Sequence, residues 1–129
     1  MDRIWVNGCF DILHEGHLDL LEHAATLGNL WIGIDSDRRI RQSKGADRPI
    51  NNEHLRYRIL KSLKFVSGVF IFDSDIELQR YINLVDPNYM VIGEDYKDKR
   101  VIGGEGRNII FFPHTKGHST SNTIEKIRS

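Results

Sequence analysis

Cysteine is almost missing from this chain: Cys9 is the single one among 129 residues, so no internal disulfide can form, and a reducing, cytoplasmic setting is expected. Long apolar runs are missing as well. The longest, Ile109–Pro113, falls far short of the roughly 20 residues that span a bilayer, so no membrane partner is expected. Residues 1–10 lack a basic stretch followed by an apolar segment, so no signal peptide is expected. Nor is there a surplus of charge. Lys and Arg number 18 against 18 for Asp and Glu, which argues against a nucleic-acid coat or a membrane-surface protein. What is present is ordinary for a soluble globular chain, with 40% hydrophobic and 28% charged residues, and frequent, evenly spread apolar runs speak against disorder. The length is that of one domain, taken here as residues 1–129.

Apolar strands alternate with amphipathic helices. Strands are expected at Arg3–Asn7, Asn29–Asp35, Val69–Asp73, Tyr89–Gly93 and Ile109–Phe112. Gly16–Leu27 places Leu18, Leu21 and Ala25 on one helical face and stops at Gly28. Ser36–Gln42 is short, polar and helical, and Ser43–Ile50, with Gly45 and Pro49, reads as a loop. Asn51 or Asn52 can cap a helix lined by Leu55, Ile59, Leu60 and Leu63, and Ser74 or Asp75 one that runs to about Val85. A last helix is expected at Ser119–Arg128. Strands of continuous rather than alternating apolar character belong to a parallel sheet covered by helices on both faces, an α/β fold. Ligands of such sheets settle beyond the carboxyl ends of the strands, where the strand order reverses. The loops after Asn7, Asp35, Gly93 and Phe112 are therefore the informative ones.

The first of these, Asn7-Gly8-Cys9-Phe10-Asp11-Ile12-Leu13-His14-Glu15-Gly16-His17, carries the strongest signal. Two histidines stand three apart where a strand gives way to a helix, whose amino end presents unpaired N–H groups and favours anions. Gly16 permits a tight turn and a close ligand. His14 and His17 would fall on one side of the first helical turn, both able to donate to phosphate oxygens. A histidine at a helix start also serves as a plain cap. Two histidines offer only two ligands to a metal, with no completing cluster, so no metal site is assigned. Arg38, Arg39, Arg41, Lys44 and Arg48 cluster against only Asp37 and Asp47, which reads as a solvated basic face or a local anion site. Cys9 reads as a small buried residue rather than a nucleophile. Ser119-Thr120-Ser121 can cap the last helix or hold a phosphate oxygen by the same physics. His114 and His118 flank that turn.

Gly8-Cys9-Phe10-Asp11-Ile12-Leu13-His14-Glu15-Gly16-His17 resembles the H-x-G-H signature of the cytidylyltransferase-like nucleotidyltransferase superfamily, which has a Rossmann-like fold. The resemblance runs from Ile4 to about Ile127. It takes in Asp35-Ser36-Asp37, Lys44-Gly45 with Arg48-Pro49-Ile50, Arg56, Gly93-Glu94-Asp95-Tyr96 and Ser119-Thr120-Ser121-Asn122. It implies transfer of a nucleoside monophosphate from ATP or CTP, accompanied by magnesium, to a small phosphorylated acceptor, with release of pyrophosphate. It also implies a homodimer. His14, His17 and Lys44 would carry the catalysis. Gly8, Cys9, Phe10, Gly16, Ser119, Thr120 and Ser121 would join the two histidines around the nucleotide, and Asp11, Lys44, Arg56 and Asp95 would meet the acceptor.

Within the superfamily, the sequence is most similar to the adenylyltransferase domain that makes ADP-heptose from a heptose 1-phosphate. It is also similar to glycerol-3-phosphate cytidylyltransferase. Cys9 stands where the latter usually has Thr, and His114 where it has Arg. The open alternatives are that cytidylyltransferase, a flavin or nicotinamide adenylyltransferase, and a module that binds nucleotide without turnover.

Overall fold

The computed structural model describes residues 1–93 and 101–113. The chain runs β1 (Arg3–Gly8), α1 (Glu15–Leu27), β2 (Asn29–Asp35), α2 (Asp37–Lys44), α3 (Glu53–Lys61), β3 (Val66–Phe72), α4 (Asp75–Val85), β4 (Tyr89–Gly93) and β5 (Asn108–Phe112). The strands form one sheet in the order β3-β2-β1-β4-β5, and every neighbouring pair is parallel. This is the α/β Rossmann-like architecture. The helix expected at Ser119–Arg128 lies outside the described residues. No helix among those described is long and apolar enough to cross a membrane.

Side chains on a strand alternate between faces, and the sheet uses the alternation to build two cores. Ile4, Val6, Leu30, Ile32, Ile34, Val69 and Val91 point to one face, under Leu21 and Ala24 of α1 and Leu60 of α3. Trp5, Phe72 and Met90 point to the other, under Leu78, Ile82 and Val85 of α4. On that second face two strand glycines make room for indole rings. A Cβ on Gly33 would lie 2.5 Å from the Trp5 ring, and one on Gly68 2.4 Å from the Trp31 ring.

Local chemistry sets the helix starts. Ser36, Asn52 and Ser74 each accept a backbone N–H from the first turn of the helix they precede, which satisfies donors the helix itself leaves unpaired.

The strand order reverses beside β1. Its pairing with β2 runs through six residues, from Arg3↔Asn29 to Gly8↔Ile34, whereas its pairing with β4 ends after Ile4↔Tyr89 and Trp5↔Met90. Beyond Trp5 the pairing of the two strands stops, and it is at the carboxyl ends beside such a reversal that ligands of open parallel sheets bind. The β1–α1 loop leaves from the carboxyl end of β1.

Candidate active site

The β1–α1 loop begins with a residue in an uncommon conformation. Phe10 has φ +49°, in the left-handed region that L-residues seldom occupy. Its ring is buried in the core and meets the ring of His17 edge-on, with centroids 5.2 Å apart. A backbone turn of this kind, held by a buried aromatic, re-aims the chain toward the start of α1.

There the two histidines cap the helix and each other. His14 is the N-cap, and its Nδ1 accepts the backbone N–H of Gly16 at 3.1 Å and of His17 at 3.4 Å. The Nδ1 of His17 accepts the backbone N–H of His14 at 3.3 Å. This is the reciprocal capping box usually built from Ser or Thr with Glu or Gln, here made from two imidazoles. The rings stack with centroids 3.8 Å apart and 19° between planes. A nitrogen that accepts a hydrogen bond carries no proton, so each neutral ring holds its proton on Nε2, the tautomer following from the hydrogen-bond pattern. The capping box thus fixes both rings at the start of α1, with the His14 Nε2 buried and His17 also hydrogen-bonded to the backbone of Ile12.

Electrostatics keep His17 uncharged. Its pKa is lowered to about 4, first by burial, then by the neighbouring His14 and the positive charge of Lys44, against a hydrogen bond with the backbone of Ile12 that raises it. Lys44 is the last residue of α2, before Gly45, which takes φ +109°. Its side chain is exposed, and its charge acts on both His17 and Cys9. The structure therefore brings His14, His17 and Lys44 together, with Cys9 beside them.

Cys9 Sγ lies 3.6 Å from the Asp35 carboxylate. Burial, followed by the charge of Asp35, pushes the thiol up to about 11. It stays protonated at neutral pH and acts as a donor, not a nucleophile.

Asp11 and Arg56, which the resemblance implies at the acceptor, are both enclosed and bonded to other protein groups, Arg56 in the structural ion pair that is the other reading of an arginine on this helix. Arg56, with 0% of its side chain exposed, donates through Nη1 to the carbonyls of Cys9 at 2.9 Å and Asp35 at 2.7 Å. Its Nε donates to the Asn51 carbonyl at 3.0 Å and its Nη2 to Asp37 at 2.9 Å. It ties the carboxyl ends of β1 and β2 to the start of α3. The Asp11 carboxylate accepts from the backbone N–H groups of Ile50 and Asn51 and from Arg48. Of the basic cluster, Arg38 pairs with Asp73, and Arg39 with Asp35 and Asp75. Gly8 ends β1 and Gly16 spends its N–H on the His14 cap. Asp95, Ser119, Thr120, Ser121, His114 and His118 lie outside the described residues.

Sequence reasoning placed Arg48 in the basic cluster, Asp37 among its opposing charges and Asn51 at a possible helix cap, and foresaw none of their contacts here. All three work by holding loops together, and their partners lie 19 to 40 residues away along the chain. The one available signal was the Arg48-Pro49-Ile50 run. Among the described residues no group of three or more His, Cys, Asp or Glu is placed to hold a metal.

The profile of a family described as cytidylyltransferase-like matches residues 5–126. The chain is 42% identical over 132 residues to the bifunctional protein HldE of Geotalea uraniireducens, covering 98% of this chain and 27% of that protein. It is 41% identical over 127 residues to the protein of the same name from Campylobacter fetus, covering 97% and 28%. The chain thus spans about a quarter of the length of these curated relatives. A lipopolysaccharide core biosynthesis protein from Thermoplasma volcanium superposes with a TM-score of 0.70 at 25% identity, over 90% of this chain and 98% of that one. The pantothenate synthetase of Thermus thermophilus superposes at 0.64 with 14% identity, over 97% of this chain and 64% of that one, a likeness of fold alone.

Proposed function

The chain belongs to the cytidylyltransferase-like family, and from that premise we propose that it is a nucleotidyltransferase. It transfers a nucleoside monophosphate from ATP or CTP to a sugar or polyol phosphate and releases pyrophosphate. The observation that carries this reading is the mutual cap of His14 and His17, which stacks two imidazoles at the start of α1, just beyond the carboxyl end of β1, where the charge of Lys44 is felt.

A phosphate oxygen of the acceptor attacks the α-phosphorus of the nucleotide. The bond from that phosphorus to the bridging oxygen of the pyrophosphate breaks, and the electron pair leaves with pyrophosphate. Catalysis of such an in-line displacement is mostly positioning and charge stabilisation. The paired imidazoles of His14 and His17 meet the phosphates as negative charge builds on the leaving oxygen and supply the second, and Lys44 adds a full positive charge. A phosphate monoester, with a second pKa of about 6, is already ionised at neutral pH and needs no base to activate it. That agrees with Asp11, Asp35 and Asp37, each of which accepts from a protein donor. Those commitments suit a magnesium ion that arrives on the triphosphate, held chiefly by phosphate oxygens and water; when bound, it would neutralise phosphate charge.

The resemblance to the ADP-heptose-making adenylyltransferase domain, with the 42% identity to an HldE protein, supports ATP and a heptose 1-phosphate as the substrate pair. Pyrophosphate release, measured with ATP and CTP crossed against heptose 1-phosphate, other sugar 1-phosphates and glycerol 3-phosphate, tests it. Release that requires both a nucleotide and a phosphorylated acceptor is expected. Nucleotide binding without release under any pairing would make the chain a binding module instead.

A further inference from the structure

We propose that Asp11 is a positioning residue that latches the loop following Lys44 onto the loop carrying His14 and His17, and so fixes where the lysine stands relative to the histidine pair. Asp11 lies three residues before His14 and is 1% exposed. Its Oδ2 accepts the backbone N–H of Ile50 and its Oδ1 that of Asn51, both at 2.8 Å. Asn51 answers through its own amide, which donates to the Asp11 carbonyl at 2.9 Å. Arg48 adds a longer contact, Nε to Oδ2 at 3.4 Å, and leaves its Nη2 buried with no hydrogen-bond partner among the described residues. The two backbone N–H groups and the Asn51 amide therefore hold most of the latch.

The other end of the loop is fixed locally, by the Gly45 N–H on the Arg41 carbonyl at 3.0 Å and the Arg48 N–H on the Gly45 carbonyl at 3.2 Å. Lys44 sits where α2 runs into this span. A loop pinned at both ends holds the lysine backbone still, whereas a loop pinned only at the helix end lets it swing from the histidines. A buried carboxylate is costly unless its lone pairs are filled. Here the donors that fill them come from the Lys44 loop, so the charge joins two loops that are otherwise distant in sequence.

His17 supplies a reporter that does not depend on turnover, because the charge of Lys44 is among the causes of its depressed pKa. Asp11→Asn keeps the volume but sets an amide N–H against a backbone N–H. Asn51→Ala removes the returning bond from the outside of the latch and is the variant to use if Asp11→Asn does not fold. The imidazole resonances of the full chain are followed by NMR from pH 7 to pH 3. With the latch loosened, the His17 midpoint is expected to rise by about half a pH unit, the size of a partly screened charge interaction. Lys44→Met should raise it similarly, and adding Asp11→Asn or Asn51→Ala to Lys44→Met should raise it no further. A midpoint unmoved in both single variants, or one that rises equally with and without Lys44, overturns the latch.

A kinetic arm rests on the proposed nucleotidyltransferase reading: either variant should lower kcat/KM about tenfold, and not further once Lys44 is Met. If the unmodified chain releases no pyrophosphate with any substrate pair, that reading fails, while the titration still decides the latch.

Discussion

Arg56 donates to the carboxylate of Asp37 at 2.9 Å while none of its own side chain is exposed. The same guanidinium also serves three carbonyls, those of Cys9, Asp35 and Asn51. A planar fork of five donors can reach several acceptors from one position, and an ammonium cannot. The site depends on this geometry because the strand ends under Cys9 and Asp35 are what the histidine loop and α2 grow from.

Replacing Arg56 is therefore expected to be costly even by lysine. Arg56→Met leaves Asp37 and three carbonyls without their donor and should destabilise the chain by about 3–5 kcal/mol, the range for breaking a buried ion pair. Arg56→Lys recovers part of that and no more. Urea denaturation at pH 7 measures both. Equal stability of the lysine variant and the unmodified chain would mean that the forked geometry is unimportant.

Removing a histidine donor should act on rate. His17→Ala is expected to lower turnover about 10²–10³-fold, the usual loss for one preorganised donor. It also deletes the acceptor for the His14 backbone N–H, a cap worth about 1 kcal/mol. Steady-state pyrophosphate release beside a denaturation curve separates the two effects. Near-normal turnover in a folded variant would remove His17 from the catalytic machinery.

Cys9 should resist alkylation. A thiol pushed up to about 11 is only about one part in a thousand thiolate at pH 8. Iodoacetamide at that pH is expected to react far more slowly with the folded chain than with the chain in urea, followed by mass spectrometry. Cys9→Ser, which keeps a donor toward Asp35, should retain activity.

The sequence made local features legible and left distant ones hidden. β2 and β4 match their expected bounds because each is an apolar run closed by a polar residue or glycine. β3 begins at Val66 rather than Val69, since Ser67 and Gly68 interrupt the apolar run. Gly68 is there for the Trp31 ring, a neighbour on another strand. α2 reaches Lys44 rather than Gln42, because basic residues in its last turn suit the negative end of a helix. The histidine pair was readable because its spacing alone stacks the rings. The partners of Asp11 and Arg56 are chiefly backbone groups of other loops, and no side-chain pattern announces a carbonyl or an N–H. For the same reason, Arg48-Pro49-Ile50 stood out as a motif without a task.

Gly33 tests the packing beneath the site. An added Cβ would come within 2.5 Å of the Trp5 ring, and Trp5 is fully buried, so the indole has nowhere to retreat. Gly33→Ala is expected to lower stability by about 1–3 kcal/mol through overpacking. Its side chain would face the Trp5 core, on the sheet face opposite Ile32 and Ile34. Thermal unfolding reads the loss, and an unchanged transition would show that the ring can shift.

The depressed pKa of His17 makes stability depend on pH with a definite sign. Above the ordinary histidine value of 6.5, the ring is neutral whether the chain is folded or unfolded, and this group contributes nothing. Below 6.5 the unfolded chain takes up a proton that the folded chain refuses until about 4. The unfolded state thus binds more protons, and stability falls as pH falls through that window, by up to about 3 kcal/mol. Below about 4 the folded ring also protonates, and the loss from this group levels off. Protonation at Nδ1 would then break the acceptor that holds the His14 N–H. Urea denaturation at pH 7, 5.5 and 4.5 follows the decline, and His17→Asn isolates its source: an asparagine does not titrate, so the variant should lose less stability over the same interval. Parallel curves for the two proteins would place the acid sensitivity elsewhere, among the carboxylates rather than in the stacked imidazoles.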